Sequence, residues 1–189
     1  MKRGISIILL GVVSLVLVGC VAVAMVGAAT SMVVYDRRSV VTIESDARIF
    51  YQIRKAIIPN PAFQNSHIII ESFNNVVLLV GETPNPSLRA MAEKIAQGTP
   101  QVRHVYDEIV IANPIPMTQR SKDSLITTEV RTKMLAKKGL GSGSIRIVTE
   151  NAVVFLMGVV THEQANLAVD VARQASGVNK VVKVFQYFN

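Results

Sequence analysis

The 189-residue chain is long enough for one medium domain or two small ones, and half of its residues are hydrophobic. Its single cysteine excludes a disulfide framework within one chain, and the lack of tryptophan argues against a nucleic-acid protein that stacks bases. The formal charge of +7 is compatible with an anionic partner.

The first twenty residues have the pattern of an export signal. Lys2 and Arg3 are basic, residues 5–18 are uncharged and apolar, and a Leu-Val-Gly-Cys sequence ends the run at Cys20. This ending is typical of the lipobox of bacterial lipoproteins, in which the cysteine sulfur accepts diacylglycerol and the new α-amine is acylated after cleavage. We predict a signal peptide over residues 1–19 and a diacylglyceryl group and an N-acyl chain (palmitate-type) on Cys20.

An alternative is a transmembrane signal anchor, because the uncharged stretch continues to residue 34 and is long enough to span a bilayer. Interspersed glycines disfavour one continuous helix, so the lipobox is preferred. In bacterial lipoproteins, an aspartate directly after the lipidated cysteine is associated with retention in the inner membrane. Here that position is occupied by Val21. We therefore expect a lipid anchor on the periplasmic face of the outer membrane, followed by a leash over residues 20–43.

The chain contains an internal repeat. Residues 68–81 align with residues 145–158, and the same offset carries Asp46 onto Asp123. A constant offset across a helix and two strands indicates duplication rather than chance.

Each copy predicts the element order αββαβ. Asp46 and Asp123 are candidate N-caps of first helices that run to about Ile57 and Ala136. Two β-branched runs follow, joined by asparagine-containing hairpin turns, and then a capped helix and a short strand.

These patterns predict an α+β chain of two tandem modules, each a three-stranded mixed sheet with two helices on one face. The modules cover residues 44–112 and 121–189, with a proline-containing linker over residues 113–120. Gly81 and Gly158 are expected where a side chain does not fit or where φ is positive. Because each core is small, we expect the two modules to touch.

Neither catalytic residues nor a metal site are expected. His67, His104 and His162 fall in different predicted elements and lack the spacing of metal ligands. Residues 44–112 contain six basic and seven acidic residues, whereas residues 121–189 contain nine basic and five acidic residues. An exported chain meets lipid before nucleic acid, so the basic second module favours anionic lipid as the partner.

The repeat resembles the BON domain, and the whole chain resembles the dual BON-domain outer-membrane lipoproteins of the DolP/YraP family. The resemblance is carried by residues 19–22, 36–40, 77–81, 105–109, 126–128, 148–151, 154–158 and 176–178.

The resemblance implies a non-enzymatic protein in the outer membrane. In this family the first helix of the second BON domain binds anionic phospholipid, such as phosphatidylglycerol or cardiolipin, and concentrates the protein at the site of cell division. Its loss is linked to poor envelope integrity and to outer-membrane protein assembly. An adaptor for that assembly machinery is therefore the alternative function.

Carried over position by position, the resemblance implies a phospholipid site on the first helix of the second module. Two positions depart from the family: Leu125 replaces a tryptophan and Glu129 replaces a lysine, which removes an aromatic anchor and reverses a charge. The alternative is that Val130 is only a core residue and the lysines are only solvated. The implied site comprises Leu125, Glu129, Val130, Arg131, Lys133, Leu135, Lys137 and Lys138.

Overall fold

The computed structural model describes residues 38–188. The predicted signal peptide, Cys20 and most of the predicted leash lie outside the described residues. The described residues form one compact unit that contains three apolar clusters. Because the described residues supply all three clusters, a chain that begins at Arg38 retains them.

Two sets of the same five elements follow one another. The first set is α1 (Val40–Ile57), β1 (His67–Phe73), β2 (Val76–Thr83), α2 (Pro86–Gln97) and β3 (His104–Ile111). The second set is α3 (Met117–Ala136), β4 (Ile145–Glu150), β5 (Val153–Val160), α4 (His162–Arg173) and β6 (Lys180–Tyr187).

Both sheets have the same topology. The middle strand, β2 or β5, pairs antiparallel with the strand before it and parallel with the strand that ends the module. Each module is therefore a three-stranded mixed sheet, and the predicted α+β fold with two tandem αββαβ modules is confirmed.

The two sheets pack against each other through the faces that carry no helix. Leu78 and Val80 of the first sheet join Phe155 and Met157 of the second in one buried cluster. The opposite faces of the sheets pack on α1 and α2, and on α3 and α4. The unit thus has four layers in the order helix, sheet, sheet, helix, and the expectation that the modules touch is confirmed.

The predicted N-caps were wrong. Helix α1 begins after Ser39, whose Oγ accepts a hydrogen bond from Thr42 N at 3.1 Å, and α3 begins after Pro116 without a side-chain cap. Both helices start about two turns before the predicted aspartates, so α1 begins inside the segment predicted as leash and α3 inside the segment predicted as linker. Asp46 and Asp123 are instead mid-helix residues, 4% and 2% exposed.

The two buried aspartates hold the hairpin turns. The carboxylate of Asp46 accepts hydrogen bonds from the backbone N–H groups of Asn74 and Asn75 at 2.7 and 2.8 Å. Asp123 accepts the equivalent bonds from Asn151 and Ala152, both at 2.9 Å. Each carboxylate therefore fastens the β-hairpin of its module to the first helix.

The turns need this support because both central residues of each turn have positive φ. Asn151 has φ of 48° and Ala152 has φ of 61°, the left-handed region that alanine rarely adopts. Two charge-assisted hydrogen bonds to one buried carboxylate offset that backbone strain.

Glycine is required at the same place in both modules. A Cβ added at Gly81 would overlap the carbonyl oxygen of His67, and one at Gly158 would lie 2.5 Å from the carbonyl oxygen of Ser144. We expect Gly158→Ala to lower the free energy of unfolding by about 1–3 kcal/mol because the strands must separate. Urea unfolding measures this, with Gly141→Ala as the control, where the nearest atom is 3.8 Å away. Equal stability of the two variants would contradict the prediction.

The interface between the modules buries two carboxyl groups. Glu82 on β2 is 4% exposed and Glu150 on β4 is 5% exposed, and Glu150 Oε1 has no hydrogen-bond partner among the described residues. His67 Nε2 lies 3.7 Å from Glu150 Oε2, and Ile115 N donates to Glu82 Oε2 at 3.4 Å. Burial and, secondarily, the neighbouring Glu150 raise the pKa of Glu82 above its ordinary value.

This raised pKa predicts a pH-dependent stability. The protonated form of Glu82 is favoured in the fold, so its contribution is complete below its ordinary pKa and is lost as pH rises through the raised pKa. We expect Glu82→Gln to raise the melting temperature by a few degrees at pH 8 and to have little effect at pH 4. Thermal unfolding across this range checks it, with the exposed Glu163→Gln as control. A gain that does not change with pH would contradict the assignment.

Candidate functional site

The eight predicted phospholipid-binding residues all lie on α3 or just after it. Leu125 and Leu135 are 71% and 70% exposed. Val130 is fully buried in the core of the second module, so its side chain cannot reach a ligand on the helix surface. Arg131, Lys137 and Lys138 are exposed, and the two lysines follow the end of the helix.

Met117 extends the exposed apolar surface to the first turn of α3. It is 70% exposed, and together with Leu125 and Leu135 it lies on the side of the helix that faces away from the buried Ile126 and Val130. Sequence reasoning missed Met117 because it started the helix too late. The signal that could have found it is Pro116, since proline is common at helix starts.

Hydroxyl groups between these apolar residues are satisfied within the helix. Thr128 Oγ1 donates to the carbonyl oxygen of Ser124, and Thr132 Oγ1 donates to that of Thr128, both at 2.9 Å. Ser121 and Ser124 bond in the same way to carbonyl oxygens four residues earlier, both at 3.0 Å. These hydroxyls need no water partner, which lowers the cost of moving this face of α3 out of water.

The negative charge of Glu129 is balanced by neighbouring groups. Its carboxylate pairs with Lys133 Nζ at 2.9 Å and accepts a hydrogen bond from Ser176 N at 3.2 Å. The bond from Lys133, followed by that from Ser176, lowers the pKa of Glu129 below its ordinary value. Lys133 Nζ also donates to the carbonyl oxygen of Gln174 at 2.7 Å. Glu129 and Lys133 therefore connect α3 to the end of α4 and present little net charge to a ligand.

The positive charge beside the apolar face comes from three other residues. Arg131, Lys137 and Lys138 form no ion pair with another residue in the part of the chain that the structure describes. They lie in the last third of α3 and in the segment that follows it. The helix thus has an outer face of apolar and internally bonded hydroxyl side chains, and a basic C-terminal end.

A groove of about 510 Å³ adjoins this helix in the second module. It is lined by Lys122, Leu125 and Glu129 of α3, the β4–β5 turn, and Gly177 and Asn179 after α4. Gly177, at a φ of 83° that favours glycine, leaves the groove without a side chain at that position.

The equivalent place in the first module is filled. Gln101, which has φ of 70°, takes the position of Gly177, and its Oε1 accepts a hydrogen bond from Ser45 Oγ at 3.1 Å. Asn75 Nδ2 donates to the same Ser45 oxygen at 2.7 Å. The modules therefore share a fold but differ at this surface.

The histidines contact acidic or aromatic side chains, with His67 near Glu150. No group of three or more potential metal-ligating side chains occurs between residues 38 and 188. His162 stacks on Tyr187 with ring centroids 4.1 Å apart, and His104 contacts Tyr106 edge to face. None of the helices in these residues is long and apolar enough to span a bilayer.

Comparison with known proteins identifies both modules. The model of the BON domain family matches residues 45–113 and 122–187. Over 183 residues the chain is 36% identical to Outer membrane lipoprotein DolP of Haemophilus influenzae, covering 96% of this chain and 95% of that protein.

Two further relatives carry different names. The chain is 38% identical over 124 residues to the 21 kDa hemolysin of Actinobacillus pleuropneumoniae, covering 66% of this chain and 64% of the relative. It is 25% identical over 139 residues to Osmotically-inducible protein Y of Escherichia coli, covering 72% and 69%.

Proposed function

Because this chain belongs to the dual BON-domain DolP/YraP family, we propose that it is an outer-membrane lipoprotein whose helix α3 binds anionic phospholipid. Cys20 carries the lipid anchor, and the compact unit lies on the periplasmic side. The role is non-enzymatic: it supports envelope integrity and places the protein where phosphatidylglycerol or cardiolipin is abundant, including the division site.

The observation that carries this proposal is the outer face of α3. Three exposed apolar side chains, Met117, Leu125 and Leu135, stand among hydroxyls that are already bonded within the helix. Such a face enters the lipid headgroup region at low cost, and each nearby base adds about 1 kcal/mol at an anionic surface. The anchor already holds the chain at the membrane, so a weak contact is sufficient.

The departures from the family pattern are compatible with this function. Leu125 supplies apolar area where the resemblance implies a tryptophan. The negative charge of Glu129 is balanced by Lys133 at 2.9 Å, so it does not repel an anionic surface strongly. Arg131, Lys137 and Lys138 provide the attraction.

Vesicle co-sedimentation tests the lipid-binding part. A chain that begins at Arg38 is mixed with phosphatidylcholine vesicles and with vesicles that also contain phosphatidylglycerol or cardiolipin. We expect binding only to the anionic vesicles, with affinity that falls as salt is raised. Equal binding to neutral and anionic vesicles would overturn the proposal.

The mass of the protein isolated from cells tests the anchor. A chain that begins at Cys20 and carries a diacylglyceryl group and an N-acyl chain is expected. An unmodified thiol on an uncleaved chain would refute lipidation, and it would leave the α3 proposal to be judged by the vesicle result alone.

An adaptor for outer-membrane protein assembly is the second candidate, and β3 favours it. This strand is at an edge of the first sheet, and its Val110 and Ile111 are 59% and 41% exposed. An edge strand with exposed apolar residues offers a surface for strand addition. Binding to a partner through this edge should resist salt and fail in Val110→Lys, whereas lipid binding should do the reverse.

A further inference from the structure

Helix α1 of the first module has a second exposed apolar face. Tyr51 is 64% exposed, Ile58 just after the helix is 52% exposed, and Val40 at its start is 75% exposed. At 100° per residue these three positions lie opposite the core stripe of Ile49 and Ile53. The apolar residues therefore form a line along the outermost side of the helix.

Basic residues flank this line on both sides. Arg48 and Lys55 lie on one side and Arg54 on the other, and all three are exposed. Of the two acids on α1, Glu44 pairs with Arg48 at 3.3 Å and Asp46 is buried under the hairpin turn. The C-terminal half of the outer face thus has two bases and no acid.

This face matches the face of α3 at three positions and differs from it at others. In the aligned repeats, Val40, Arg54 and Ile58 correspond to Met117, Arg131 and Leu135. Under the repeat, Tyr51 aligns with Thr128 and Arg48 aligns with Leu125. Tyrosine has an apolar ring and a polar hydroxyl, and it prefers the boundary between lipid and water. The first module therefore has the aromatic side chain and flanking bases of an interfacial helix at positions where the second module has a hydroxyl and a leucine.

We propose that the outer face of α1, defined by Val40, Tyr51 and Ile58 with Arg48, Arg54 and Lys55, is a second surface that binds an anionic membrane. Charge complementarity favours lipid as the occupant. The chain between Cys20 and Arg38 reaches at most about 65 Å when extended, and it joins the compact unit directly before α1. The tether argument and the experiment below rest on the proposed lipidation, whereas the exposed residues and charges of α1 do not.

The layer order gives the proposal a geometric consequence. Helices α1 and α3 lie on opposite outer layers of the sandwich. A flat bilayer therefore meets the outer face of one helix at a time. The chain has two membrane-bound orientations, which place either the first or the second module on the lipid.

Tryptophan reporters test this in the lipidated full-length chain, because the natural chain has no tryptophan. Tyr51→Trp is reconstituted in vesicles of phosphatidylcholine or of phosphatidylcholine with phosphatidylglycerol, each with brominated acyl chains that quench indole fluorescence. Tyr187→Trp, at a side chain 45% exposed on β6, is the control. The anchor holds every variant at the surface, so the difference between the two lipid mixtures reports contact of the side chain with anionic lipid.

We expect the Tyr51→Trp reporter to be quenched at least about twofold more in the anionic vesicles than in the neutral ones, and the control to be unchanged. Adding Arg54→Gln and Lys55→Gln should abolish the difference. Quenching of the Tyr51→Trp reporter no greater than that of the control would overturn the proposal. A Leu125→Trp reporter separates the two surfaces: quenching there alone refutes the α1 surface and leaves the α3 proposal standing.

Discussion

Replacing Asp123 with alanine is expected to lower the free energy of unfolding by about 3–5 kcal/mol. The change leaves the N–H groups of Asn151 and Ala152 without their acceptor in a turn whose two central residues have positive φ. A hydrogen bond to a charged group contributes roughly 1.5–3 kcal/mol, and a buried donor without a partner adds a desolvation cost. Ala152 is itself buried, so water does not easily replace the carboxylate.

Urea unfolding of a chain that begins at Arg38 measures this loss. The exposed Asp170→Ala is the matched control, since it removes the same charge from another helix of the same module. Asp123→Asn keeps the volume and one acceptor oxygen and should fall between the two. A loss for Asp123→Ala no larger than that of Asp170→Ala would refute the role given to this carboxylate.

The equivalent aspartate of the first module has an additional partner. Asp46 accepts bonds from the turn and also pairs with the side chain of Arg38, which lies 4.0 Å above the ring centroid of Phe73. Phe73 belongs to the cluster between the two sheets. This aspartate therefore connects the beginning of the compact unit to the module interface.

Removing the two lysines that follow α3 is expected to weaken lipid binding strongly. Lys137→Gln with Lys138→Gln removes two unpaired bases at the end of α3, each worth about 1 kcal/mol at an anionic surface. A loss of about 2 kcal/mol corresponds to roughly 30-fold weaker binding to phosphatidylglycerol vesicles. Because both side chains are exposed, stability should remain unchanged.

Lys180→Gln with Lys183→Gln is the matched control, because these exposed lysines lie on β6 and the net change of charge is the same. Co-sedimentation at low and moderate salt compares the two double variants. An equal loss in both would mean that the vesicles respond to overall charge and not to α3.

Much of the fold follows from local patterns. The repeat, the αββαβ order and the asparagine turns depend on residues close together in sequence, and each was predicted. The helix starts were missed because an aspartate can cap a helix or bind turn amides from within it, and both uses fit the same local pattern. Asp123 binds turn amides because the fold brings the β4–β5 turn, which lies far along the chain, within hydrogen-bond distance of its carboxylate.

The contact between the sheets was harder to specify. All eight residues of β2 are buried, and the apolar run over residues 76–80 predicts cover on both faces without identifying what covers the second face. The carboxyls of Glu82 and Glu150 meet at this interface, and neither residue has a sequence neighbour that indicates the other.

The candidate site was predicted from the family resemblance. The structure assigns a partly different set of residues to the exposed surface of α3. Val130 belongs to the core, while Glu129 and Lys133 largely satisfy each other. Met117 belongs to the surface because α3 begins at that residue, and the hydroxyls of Thr128 and Thr132 are bonded within the helix. A surface depends on which side of a helix remains uncovered, and that is decided by packing with residues distant in sequence.

Contact between α3 and a lipid surface can be observed residue by residue. Amide signals of an isotopically labelled chain that begins at Arg38 are recorded by NMR with bicelles that contain phosphatidylglycerol and a spin-labelled lipid. We expect strong broadening at Leu125, Thr128, Thr132 and Leu135, and none at these amides in neutral bicelles. Sharp α3 signals under conditions where the protein is bound to the anionic bicelles would contradict it.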